Sequence, residues 1–124
     1  MNEVLKALSQ LRINPINEEY DLQNEIARVL NTSQIDFIRE YRLGKRNRVD
    51  FRIGSVYDSS GVVIEVKKGK PNKRKVVEQL SRYANFPEVT GIILVVEKNL
   101  DVPKEINGKP CISFGLNKLW GIAL

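Results

Sequence analysis

Apolar residues recur at helical spacing twice near the start of the chain. Val4, Leu8 and Leu11 predict a short helix, with Asn2 as N-cap, that ends before Pro15. Leu22, Ile26 and Val29 or Leu30 form the stripe of a second helix, starting after Asn17 and running to about Leu30. The period then changes. Asp36 to Leu43 reads as a strand, and Gly44-Lys45-Arg46-Asn47 as a turn. Val49, Phe51 and Ile53 alternate with Asp50 and Arg52, which predicts a strand with one buried face.

Ser55 to Gly61 is polar and turn-like. In the strand from Val62 to Lys67, Ile64 and Val66 share one face, and Val63, Glu65 and Lys67 the other. Pro71-Asn72 opens a helix with Val76, Leu80 and Tyr83 or Ala84 on its apolar side. Gly91 to Glu97 is continuously apolar until its last residue and reads as a central strand. Asn107-Gly108 makes a turn, Cys111 to Phe114 a short strand, and the tail around Trp120 is expected to pack on the body. The pattern is a single α/β domain over residues 1–124, with a mixed central sheet flanked by helices. Its core spans about residues 17–97.

At 124 residues the chain is long enough to bury a core without staples. No apolar run approaches the ~20 residues that span a bilayer, and no secretory signal is visible at the start. The single cysteine, Cys111, excludes an intrachain disulfide and a cysteine-rich zinc site. A reducing, cytoplasmic location is expected. There is no histidine. That removes Ser-His-Asp and Cys-His catalysis and histidine-ligated zinc. Hydrolysis would rest on carboxylates, lysine, tyrosine or metal-bound water.

Charge sharpens the picture. The net charge of +5 is concentrated between Arg42 and Lys75, where eleven Lys or Arg face three acids. The rest carries nine bases against twelve acids. A basic block favours polyanions, with a merely solvated face as the alternative. It alternates in strand periods and lacks a bulky apolar face, which argues against a membrane surface.

Two acids lie inside that block. A hairpin folded symmetrically about Tyr57 and Asp58 sets Asp50 opposite Glu65. Opposed side chains on neighbouring strands have Cβ atoms roughly 4.5–5.5 Å apart. Like charges repel there, so a purely structural sheet should avoid the pair. A divalent cation reverses the sign, since Mg²⁺ takes oxygen ligands from one or two carboxylates, waters and substrate phosphates. Lys67 leaves the same face as Glu65, where its ammonium can position an attacking water or offset charge developing on the phosphorane. Glu-x-Lys alone is weak, because amphipathic strands produce surface ion pairs often.

Asp50, followed by Glu65-Val66-Lys67 on the next strand and then by a helix, resembles the PD-(D/E)XK nuclease superfamily. The resemblance covers about Asn17 to Glu97, and Val49 stands where the motif's name puts proline. It implies a restriction-endonuclease-like fold with core order α-β-β-β-α-β. It implies Asp50 and Glu65 as metal ligands, Lys67 as catalytic lysine, and the Val66 carbonyl as a further ligand. The family's first long helix often adds a carboxylate: Glu19 is preferred and Glu25 is the alternative. Gln79 and Tyr83 resemble the Gln-x-x-x-Tyr element of one branch, where it contacts DNA beside the metal; otherwise Tyr83 is core and Gln79 a flanking polar residue.

Lys68, Lys70, Lys73, Arg74 and Lys75 cluster at the start of the third helix, against its dipole, a mild cost that phosphate contacts would offset. Arg42, Lys45, Arg46, Arg48 and Arg52 lie on the hairpin before it, and most of these bases, Arg46 and Arg48 among them, are expected to meet backbone phosphates. The expected activity is that of an Mg²⁺- or Mn²⁺-dependent deoxyribonuclease using metal-activated water. An endonuclease on branched or otherwise structured DNA fits better than a sequence-specific enzyme, since no extra base-reading domain is evident. The small size is similar to that of phage and prokaryotic resolvases of the superfamily. The alternative is a catalytically silent nucleic-acid-binding module with the same fold. Apolar residues near the C-terminus leave a homodimer open.

Overall fold

The computed structural model describes residues 1–11 and 19–116. Through them the chain runs α1 (Asn2–Leu8), α2 (Glu19–Thr32), β1 (Phe37–Leu43), β2 (Asn47–Ile53), β3 (Gly61–Lys67), α3 (Lys73–Ala84), β4 (Val89–Val96), β5 (Glu105–Ile106) and β6 (Lys109–Gly115). The strands form one six-stranded sheet in the order β1-β2-β3-β4-β6-β5. β1, β2 and β3 pair antiparallel, β3, β4 and β6 pair parallel, and β5 closes antiparallel on β6. This is a mixed α/β fold, as the periodicity predicts. The expected roles of Asn17 and Pro15 and the packing of Trp120 fall outside the described residues. Among the described residues no helix is long and apolar enough to cross a membrane.

Each face of the sheet buries its own cluster. Val4, Leu8, Leu22, Ile26 and Leu30 of α1 and α2 cover Phe51, Ile64, Val66, Ile93 and Val95. Val76, Leu80, Tyr83 and Ala84 of α3 cover Val63, Ile92, Leu94 and Val96. β4 feeds both clusters, which is why its sequence reads as a continuous apolar run. Burying one such side chain contributes ~1.5–3 kcal/mol. α3 is fixed at its start by Asn72, whose side chain accepts from the Lys75 N–H at 3.0 Å, a cap that contributes about 1 kcal/mol. Asn107 and Gly108 both take positive φ (51° and 76°), as the tight turn between β5 and β6 requires. β5, only two residues long, is too short to show a period.

One expectation fails in a way that matters for the site. Residues two apart on a regular strand share a face, yet Val49 packs with the α3 cluster and Phe51 with the α1–α2 cluster. The strand therefore changes face at Asp50. β1 shows the same change, with Phe37 on the α2 side and Leu43 on the α3 side. Glu40 lies between the paired positions Arg39↔Phe51 and Tyr41↔Val49, facing Asp50, and has φ 50°. Such a left-handed non-glycine residue costs on the order of 1–3 kcal/mol.

The turn joining β2 to β3 is built from the backbone outward. A Cβ at Gly61 would stand 2.3 Å from the Ile53 carbonyl oxygen, so only glycine fits. Arg52 donates from Nη1 to the Asp58 carbonyl at 3.2 Å and from Nη2 to the Ser55 carbonyl at 2.9 Å. Its guanidinium lies 4.7 Å from the Tyr41 ring centre. At 2% exposure, Arg52 is a turn anchor and stands apart from the exposed bases of the hairpin. The turn sets Phe51 opposite Ile64 and Arg52 opposite Val63.

Candidate metal centre and nucleic-acid face

Continuing that register by one residue brings Asp50 opposite Glu65, the pairing that symmetric folding of the hairpin gives. Asp50 is held at both oxygens. Oδ2 accepts from the Val66 N–H at 2.7 Å, and Oδ1 accepts from Gln23 Nε2 at 3.1 Å. Each carboxylate oxygen has a second lone pair, so these bonds leave Asp50 able to ligate. Val66, whose carbonyl was the expected contributor, meets Asp50 through its N–H.

Glu65 is 4% exposed. Its Oε2 is 3.4 Å from Lys67 Nζ, and among the described residues its Oε1 meets no hydrogen-bond partner. A buried carboxylate oxygen without a partner is costly. Burial, reinforced by the Asp50 charge and opposed by Lys67, pushes the Glu65 carboxyl up to about 8. Burial also raises Asp50; the Val66 N–H and Lys67 oppose the shift, and Glu19 adds to it. Two inward-facing carboxyls that resist ionising together are what a hard cation would relieve. The orphaned Oε1 and the two-carboxylate donor set thus fit a divalent metal.

The helix carboxylates separate. Glu19 is exposed at the start of α2, and its Oε1 accepts from the Lys68 N–H at 3.2 Å. Glu25 pairs with Arg28 on the helix surface. Among the described residues no group of three Asp, Glu or Cys side chains stands close enough to share an ion. In this arrangement Glu19 borders the pair, at the backbone of Lys68.

Gln79 and Tyr83 do project from one side of α3. Gln79 Nε2 donates to the Tyr83 hydroxyl at 2.8 Å, and that hydroxyl donates to the Arg48 carbonyl at 3.1 Å. Tyr83 is 2% exposed. It is therefore core, and the expected direct DNA contact is corrected to a structural one: it ties α3 to β2 one residue before Val49. Burial and the charges of Glu65 and Asp50 raise its hydroxyl further from ionisation, so it is no base. Gln79 is half-buried and lines a groove of about 340 Å³ with Lys67, Lys75 and Arg82.

Lys68, Lys70, Lys73, Arg74 and Lys75 are all exposed, as are Arg42, Lys45, Arg46 and Arg48. Arg74 Nε pairs with Glu78 at 3.2 Å, and Arg48 lies 4.0 Å from Glu40. The sequence reading missed Gln23. It stands four residues after Glu19, the helical spacing that places both on one side of α2, and its Oε1 accepts from Arg39 Nη2 at 3.3 Å. No family model, curated protein or solved structure matches this chain.

Proposed function

We propose that the protein is a divalent-metal-dependent deoxyribonuclease of the PD-(D/E)XK type, with the restriction-endonuclease-like fold, working inside the cell. The carrying observation is the unpartnered Glu65 Oε1 in a buried pair with Asp50, beside Lys67. Asp50 and Glu65 would hold Mg²⁺ or Mn²⁺. When bound, the cation supplies Lewis acidity toward a scissile phosphate and makes a nearby water more acidic.

The residues of the chain do the rest. The Val66 N–H and Gln23 fix the direction of the Asp50 carboxylate. Lys67 faces the same pocket as Glu65, where its ammonium orients water or meets the charge that develops on the phosphate oxygens. Water adds to phosphorus and a bridging P–O bond breaks, leaving a phosphomonoester and a hydroxyl. Gln79, Lys75 and Arg82 line the adjoining groove and favour a polyanion there. The exposed bases of α3 and of the β1–β2 turn grip the backbone and set affinity without reading sequence. Structured or branched DNA is the expected substrate.

A panel of linear, nicked, flapped and four-way DNA, incubated with Mg²⁺ or Mn²⁺, tests the proposal. Cleavage that stops on adding chelator supports it. Salt-sensitive binding with no cleavage under any metal would favour the silent binding module instead.

A further inference from the structure

Tyr20 is one of the large apolar side chains the fold leaves in the open, at 60% exposure. It is also held in place. The Arg39 guanidinium lies 5.4 Å from its ring centre and 5.5 Å from that of buried Phe51. Arg39 is in turn fixed by donating from Nη1 to Asn24 Oδ1 at 3.0 Å and from Nη2 to Gln23 Oε1. Gln23 donates to Asp50. Two side chains, Arg39 and Gln23, thus link the ring to the Asp50 carboxylate. Its chain neighbour Glu19 touches the backbone of Lys68, just beyond β3.

An exposed aromatic ring backed by a fixed cation costs little entropy to present and offers a face on which any base can stack. A base inside a duplex is already stacked and gains nothing from it. We infer that Tyr20 is a stacking platform for an unpaired nucleobase next to the cation site of Asp50 and Glu65, so that the preferred substrate is DNA with a single-stranded segment at the site. This deepens the nuclease reading and rests on its nucleic-acid part. It needs no metal to be tested.

The probe is a single-stranded oligonucleotide carrying 2-aminopurine, beside the same sequence as a blunt duplex, titrated with the full chain in chelator. Stacking on tyrosine should quench the single-stranded probe on binding. Tyr20→Ala should remove that quench and weaken single-strand binding about 10-fold or more, while duplex binding changes less than about 2-fold. Tyr20→Trp should restore quench and affinity, which a merely structural ring at an exposed site would not require. Unchanged quench and unchanged single-strand affinity in Tyr20→Ala overturn the inference while leaving the nuclease reading intact. Stacking without metal-dependent cleavage does the reverse. Failure to bind either DNA overturns both.

Discussion

Asp50 lies one step beyond the Phe51↔Ile64 pair of the β2–β3 ladder, facing Glu65; burial raises the proton affinity of both carboxyls, and the Asp50 charge raises that of Glu65 further. In the absence of metal, the pair gives stability a definite pH dependence. Glu65 titrates near 8 in the folded chain and near its ordinary 4.5 when unfolded. Between these values the folded state binds the extra proton, so stability falls as pH rises. Thermal unfolding in chelator should show Tm dropping from about pH 5 to about pH 8. Glu65→Gln should flatten that drop. A wild-type Tm that holds steady or rises through this window would mean that Glu65 is not held as described.

Divalent cation should reverse the loss. Protons compete with metal for the same carboxylates, so added Mn²⁺ should raise Tm more at pH 8 than at pH 5. Gln23→Ala releases one side of Asp50 without touching a ligand. Loss of such an orienting partner typically weakens metal binding by about 10–100-fold. Calorimetric titration of Mn²⁺ checks this; equal affinity in both proteins would remove Gln23 from the site.

The basic residues are not equivalent. Arg74 already has Glu78 as an exposed partner, whereas Lys73 forms no ion pair among the described residues. Lys73→Ala should weaken DNA binding at all sequences and cut the salt slope by about 0.9 for a lost phosphate contact. Arg74→Ala should do less. Equal, unchanged slopes would take the start of α3 out of the footprint.

Tyr83→Phe separates scaffold from chemistry. It strips the Arg48 carbonyl of the hydroxyl that donates to it, and Gln79 of its acceptor. A cost of ~1–3 kcal/mol in denaturant unfolding is expected, with DNA affinity nearly unchanged. Weaker binding at full stability would return Tyr83 to the interface.

Much of this was legible before the fold was seen, for physical reasons. Strand alternation and a turn with a clear centre determine a register, and register alone brings Asp50 and Glu65 together. The continuous apolar run of β4 gave its burial on both faces. Periodicity could not reveal that β1 and β2 switch faces at Glu40 and Asp50, because nothing in the residue types marks the switch; in β1 it coincides with φ 50° at Glu40. Nor does charge tell where an arginine goes: Arg52 is buried by carbonyls of its own turn, while Arg48 stays outside. Gln23 carries no charge to flag it, and only its helical spacing from Glu19 hinted at the site. Tyr83 had the spacing of both a core residue and a contact, and its hydroxyl decided between them by finding a carbonyl within the fold.

The most direct measurement is Mg²⁺-dependent cleavage by the wild type and by Asp50→Asn on the same DNA, with binding followed in parallel. The carboxylate-pair account predicts that the substitution abolishes cutting and leaves binding equal or tighter, since it removes a negative charge from a basic surface. Cutting that survives in Asp50→Asn at wild-type rate would contradict it.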